Sequence, residues 1–435
     1  MSEQITEQDI NQENHLLIGG ADATQLAQQF GTPLVAYDVS KIRSQIKAFK
    51  RVFEEKQVPY AVSYASKAFS AIGMYEVVAQ EGGHTDVVSG GELYTALQAN
   101  FPVEDISFNG NNKSYDELVM AIDAGIGAII VDNFHEIDLI EQILSTRSTS
   151  VNVLLRITPG ISAHTHEFIS TGQEDSKFGF DLKSGQARVA FERVMKNSKI
   201  NMRGVHAHIG SQIFDVHGFV AAAEKLVDIV ADWRESFGYE VEVINVGGGF
   251  GIRYTKDDTP IPAESFVAAI IDAVKAKTEA LNMKMPEIWI EPGRSVVGPA
   301  GYSLYTIGSR KDIPGINAYL AVDGGMGDNI RPALYQAEYE ALLASNVNAK
   351  SEEVVRIAGK YCESGDILVW QQALPQTKPG DVIAILATGA YGYAMASNYN
   401  RNPKPAVVFV EDGQAKLVIA RESYDDLVHL DRHYV

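Results

Sequence analysis

Eight short apolar runs alternating with amphipathic stretches, then a series of β-rich segments, predict an α/β protein: a closed (β/α)8 barrel with an all-β domain after it. Three observations carry this expectation. The eight runs occupy residues 59–293, the count and length of such a barrel. Their spacing is close to 25 residues until the fifth, as repeated βα units require. Beyond residue 298 the helical patterns give way to short strands separated by Gly, Pro and Asp. A doubly wound sheet is the main alternative, but eight evenly spaced units favour closure.

Residues 1–36 hold a short helical pattern, ADATQLAQQF, followed by TPLVAYD. This N-terminal segment is expected to pack with the C-terminal β-domain. The barrel is expected over 37–298. Its strand candidates are PYAVSYASK (59–67), HTDVVS (84–89), DISFNG (105–110), GAIIVD (127–132), VNVLLRI (151–157), RGVHAHIG (203–210), EVINVGGG (242–249) and EIWIEPG (287–293). Helical patterns such as SAIGMYEVVAQEGG and GELYTALQANF lie between them, the first closing on a glycine pair suited to a C-cap. The wider gap between the fifth and sixth runs leaves room for an active-site loop near HTHEFISTGQEDSKFGF. Residues 299–435 form the expected β-domain, a Greek-key barrel or sandwich, from segments such as AYLAVDGG, EVVRIAG, DVIAILAT and PAVVFVED.

Composition narrows the functional class. With 37 Lys plus Arg against 56 Asp plus Glu, the formal charge of −19 argues against a nucleic-acid binder, which needs a basic face. Cys362 is the single cysteine, so no disulfide framework or Cys-rich zinc site is available. No apolar run approaches the roughly 18 residues of a membrane span, and no secretory signal is visible at the N-terminus. A soluble, cytoplasmic protein is expected.

Barrel enzymes place their reactive groups at the C-terminal ends of the strands. Lys67 ends the first run, where a partly desolvated amine suits nucleophilic attack on a carbonyl; a merely solvated strand-end lysine is the plainer reading. VGGGFG follows the seventh run, where Gly247, Gly248 and Gly249 let backbone N–H groups approach an anion, or simply make a tight turn. In EPGR, after the eighth run, Glu291 ends an apolar stretch and needs a partner, for which Arg294 is one choice. His206 and His208 are two apart in the sixth run and are expected to share a face. A metal pair there, with His164 and His166 added, lacks a zinc-type spacing, and no metal is expected. A flat imidazole in a barrel can instead stack on an aromatic cofactor. Cys362 beside Glu363 is either an acid–base group or inert, and Tyr391 between small residues is an anion donor or a packed turn aromatic.

Taken as an ordered set, YASKAF, STGQEDSKFGF, HAHIGSQI, GGGFGI, EPGRSVV, RPALY, CESGD and GAYGYAMASNYN strongly resemble the fold-type III pyridoxal-phosphate-dependent decarboxylases, within them the branch acting on diaminopimelate. The resemblance covers nearly the whole chain. It implies pyridoxal 5′-phosphate as cofactor, with Lys67 holding its aldehyde and His208 stacked on its ring. Ser211, Gly247, Gly248, Gly249, Gly293, Arg294 and Tyr391 would bind or orient it, and Glu291 would face the ring nitrogen. Arg294, Arg331 and Tyr335 would hold the substrate's distal carboxylate and Glu363 its distal ammonium, with Tyr391 also binding substrate. Cys362 and Glu363 would come from the partner of a homodimer. The implied reaction is decarboxylation of meso-2,6-diaminopimelate to L-lysine, the last step of lysine biosynthesis. The alternative is a sister enzyme acting on ornithine, arginine or carboxynorspermidine. Two departures from the family pattern stand out: Gly327 where a larger residue is expected, and Lys360–Tyr361 where proline is expected.

Overall fold

The computed structural model describes residues 2–161 and 176–435. Two compact units divide them: Ser44–Gly251 with Pro260–Ser295, and Met1–Arg43 with Ile252–Thr259 and Val296–Val435. The second unit takes in the segment Ile252–Thr259 from between parts of the first.

The first unit is the barrel. Its strands are β1 Tyr60–Ala65, β2 His84–Val87, β3 Ile106–Phe108, β4 Ala128–Val131, β5 Val151–Thr158, β6 Ile200–His206, β7 Val243–Asn245 and β8 Glu287–Ile290. Every neighbour pairs in parallel, and β8 closes on β1 with Ile288 opposite Tyr60 and Ile290 opposite Val62. Strands buried on both faces must be apolar throughout, and all four residues of β4 (AIIV) are buried. Ala61, Ala128, Ile130, Leu154, Val243 and Trp289 pack into one cluster drawn from five of these strands.

The intervening helices begin and end where their side chains dictate. Ser114 and Glu117 form a reciprocal capping box at the start of Tyr115–Ala124, and Gly125 ends it in the left-handed conformation. Between β5 and β6, a short strand Phe180–Asp181 extends the edge of β5 and precedes the helix Gln186–Met195. The expected loop near HTHEFISTGQEDSKFGF, including His164 and His166, falls mostly on 162–175, outside the described residues.

Seven of the eight strands stop short of the ends of the apolar runs. β1 stops at Ala65, so Lys67 sits in a single helical turn, Ser66–Ala68. β6 stops at His206 and β7 at Asn245, so His208 and the glycines lie in the loops above the barrel. The ladder lasts one more residue, through Ala207 N–H to Asn245 O at 2.9 Å, before the chain turns away.

In the second unit, the N-terminal strand Leu34–Asp38 lies between two later strands. It pairs antiparallel with β9 (Gly301–Ile313) and in parallel with Ala406–Glu411. β9 also pairs with Ile316–Val322 and Val382–Ile385. Leu16, Leu26, Leu34, Tyr302, Leu304 and Val408 belong to one apolar cluster of this unit, and Tyr254, Tyr305, Leu320, Ile357 and Ile383 to another.

Candidate active site

The barrel gathers its polar residues at one rim, where β1, β6, β7 and β8 end. Glu291, the residue after β8, is buried, and three strands supply its donors. His206 Nε2 lies 3.0 Å from its Oε2, while Asn245 Nδ2 and Asn109 Nδ2 donate to its Oε1 at 2.8 and 3.1 Å. Burial alone would raise this carboxyl; the His206 imidazole and the hydrogen bonds from His206 and Asn245 outweigh it and hold Glu291 ionised. Arg294 is not its partner, contrary to the pairing considered from the sequence. Arg294 instead reaches Ser211 Oγ with Nη2 at 3.0 Å.

Asn245 couples Glu291 to the glycine loop. Its amide nitrogen donates to Glu291, and its oxygen accepts from Gly247 N–H at 2.9 Å. The glycines are required by close approach of backbone to backbone. A Cβ on Gly248 would stand 2.0 Å from Glu291 O, and one on Gly249 2.1 Å from Gly210 O. Gly247 adopts φ +69°, disfavoured for residues with a Cβ. Gly293 plays the same part beside Lys67: its Cβ would lie 3.0 Å from Ala65 O and 3.2 Å from Ala68 Cβ.

His208 and His206 do different work, although the sequence suggests a shared face. Gly248 N–H donates to His208 Nδ1 at 3.3 Å, which fixes that nitrogen as an acceptor. Burial, then the charges of Lys67 and Arg156, push His208 well below the ordinary histidine value, so its ring is neutral. Lys67 is exposed rather than partly desolvated as expected. Its charge acts on Asp86 and Glu92 as well as on His208.

The residues of this rim fit pyridoxal phosphate by their donor chemistry. An accessible primary amine, a neutral imidazole ring and an ionised carboxylate match its aldehyde, ring face and ring nitrogen. The Arg294–Ser211 pair beside glycine backbone matches its phosphate. Asn109, Asn245 and Asp86 are the residues that sequence reasoning missed, because a lone asparagine or aspartate at a strand end carries no motif.

Arg331, Tyr335, Cys362, Glu363 and Tyr391 belong to the second unit. Arg331 begins the short helix Arg331–Tyr335 and is buried, with the Tyr254 ring 5.0 Å from its guanidinium and the Tyr339 hydroxyl bonded to it. Tyr335, Cys362 and Glu363 are exposed, and Tyr391 has φ +59°. The Cys362–Glu363 turn is pinned from both sides: Asp366 accepts from Tyr361 N–H at 2.9 Å, and Asn400 Oδ1 from Cys362 N–H at 2.9 Å. The two departures from the family pattern explain each other. A Cβ on Gly327 would fall 2.1 Å from the Tyr361 hydroxyl, so the tyrosine occupies the space that glycine leaves.

Comparison with known proteins agrees with this geometry. Residues 39–298 match the family described as "Pyridoxal-dependent decarboxylase, pyridoxal binding domain". The chain is 56% identical to the diaminopimelate decarboxylase of Bacillus subtilis (strain 168), covering 97% of this chain and 96% of that one. It is 57% identical to that of Bacillus methanolicus over 95% of this chain and 96% of the relative. A crystal structure of diaminopimelate decarboxylase from M. jannaschii in co-complex with L-lysine superposes with a TM-score of 0.91 at 37% identity, covering 99% of both chains. With that agreement along nearly its whole length, the chain belongs to the diaminopimelate decarboxylase family of pyridoxal-dependent decarboxylases.

Proposed function

We propose that this chain removes the carboxylate from the D-configured centre of meso-2,6-diaminopimelate, releasing CO2 and L-lysine, with pyridoxal 5′-phosphate at the barrel rim. The observation that carries this reading is the family membership at 56% identity, together with the lysine, glutamate and arginine held at one barrel rim. The relatives favour it over a sister enzyme acting on ornithine, arginine or carboxynorspermidine.

When bound, pyridoxal phosphate supplies an electron sink conjugated to the substrate's α-carbon. The protein's own part is to bind, orient and hold protons. Lys67 would offer the amine that holds the cofactor's aldehyde. Glu291, ionised and clamped by three donors, would hold a proton at the cofactor's ring nitrogen. His208, pinned by Gly248, presents a neutral ring face. Arg294, Ser211 and the backbone at Gly247, Gly248 and Gly249 would receive the phosphate, Gly293 lets the β8 turn sit against the Lys67 turn, and Tyr391 would add a hydroxyl.

The substrate differs from simple diamines by a second amino-acid head. A carboxylate there calls for arginine, and an ammonium for an acid. Arg331 with Tyr335 suits the first, and the partner subunit's Glu363 the second. Cys362 of the partner subunit and Lys67 are the two groups able to return a proton to carbon. The working unit is therefore a homodimer, and the acidic, single-cysteine composition suits a reducing cytoplasm.

Purified protein supplied with pyridoxal phosphate and meso-diaminopimelate should release stoichiometric CO2 and L-lysine. Turnover of ornithine or arginine in preference would transfer the assignment to a sister enzyme.

A further inference from the structure

The network behind Glu291 contains a residue with a second contact that the reading above leaves unused. Asn109 follows β3 and is buried. Its Nδ2 donates to Asp86 Oδ1 at 2.7 Å and to Glu291 Oε1 at 3.1 Å. Its Oδ1 is equally buried and has no hydrogen-bond partner among the described residues. An amide that leaves its oxygen unpaired so that both N–H groups meet carboxylates is oriented by those carboxylates.

Two carboxylates separated by one amide cannot both be ionised without strong repulsion. Their surroundings decide which keeps its charge. Glu291 has two further donors, His206 and Asn245, and lies in the field of Arg156. Asp86 faces Glu291 and Glu92 as like charges, with Asn109 and the Lys67 charge on the other side of the balance. We propose that Asn109 is a positioning residue that bridges Asp86 and Glu291, fixing the Glu291 carboxylate and leaving the pair's single proton on Asp86. Burial and the Glu291 charge raise the Asp86 carboxyl well above the ordinary range, in agreement with this geometry. The catalytic consequence rests on Glu291 facing the cofactor's ring nitrogen.

Infrared difference spectroscopy of the homogeneous apoprotein tests the proton directly. At neutral pH, wild type minus Asp86→Asn should show the C=O stretch of a protonated carboxylic acid; its absence overturns the proposal. Asn109→Leu, which keeps the side-chain volume and removes both donors, tests positioning in the cofactor-loaded enzyme. It should lower kcat by about tenfold with KM within about twofold, the loss of one buried donor, and shift the pH midpoint of the visible cofactor band. An unchanged band and unchanged kcat would overturn the role. If Asn109→Leu does not fold, the infrared result on Asp86→Asn decides alone. A wild-type enzyme inactive on diaminopimelate would sink the substrate assignment while leaving the infrared band and the spectral shift readable.

Discussion

Asn245 ends β7 and Glu291 follows the adjacent β8, and the two are joined by a hydrogen bond of 2.8 Å between the amide nitrogen of one and the carboxylate of the other. The same asparagine accepts from Gly247 N–H, so one side chain sets both the acid and the start of the glycine loop. Asn245→Leu should therefore damage two functions at once. Leaving a buried carboxylate short of a donor costs about 1–3 kcal/mol. Thermal unfolding of the apoprotein and cofactor affinity should both worsen. A variant with normal affinity and stability would show that the two contacts are independent of Asn245.

Gly248→Ala places a methyl group 2.0 Å from a backbone oxygen of Glu291, which no side-chain rotation relieves. The expected loss is about 1–3 kcal/mol of stability, with weakened cofactor binding. Denaturant unfolding with and without pyridoxal phosphate separates the two effects.

Gly327 and Tyr361 should behave as a coupled pair. Gly327→Ala drives a Cβ to within 2.1 Å of the Tyr361 hydroxyl and 2.4 Å of its ring. Removing the ring with Tyr361→Ala in the same chain should restore much of the stability lost by Gly327→Ala. A double-mutant cycle with an interaction energy near zero would contradict the interlock.

Asp328 gives a pH prediction with a definite sign. Burial, together with the charges of Asp323 and Asp366, raises its carboxyl from 3.8 to about 7, against the Gly325 N–H bond and the charge of Arg421. The folded protein therefore binds this proton more tightly than the unfolded chain. Stability from this group is complete below 3.8 and is lost as pH rises through about 7. Asp328→Asn should flatten the pH dependence of the unfolding midpoint across that window. Identical slopes for variant and wild type would show the carboxyl to be unperturbed.

The sequence revealed most of the barrel because parallel strands are apolar throughout and recur at even spacing. It overextended β6 and β7, since His208 and Gly247 continue the run in sequence after the ladder has ended. Lys67, Gly247, Glu291 and Arg294 were legible because strand-end position and residue type coincide in short motifs. Asn109 and Asn245 were not, because their significance comes from barrel closure, which brings β3 and β7 to Glu291 from far along the chain. The pairing of Glu291 with Arg294 failed because other strands meet the carboxylate first, with His206, Asn245 and Asn109, and Arg294 meets Ser211 instead.

The most direct test of the active site is covalent. Cofactor-loaded protein is reduced with borohydride, digested, and the modified lysine located by mass spectrometry. The account requires a phosphopyridoxyl adduct on the peptide carrying Lys67, with none in Lys67→Ala. An adduct confined to another lysine, or retained in that variant, would contradict it.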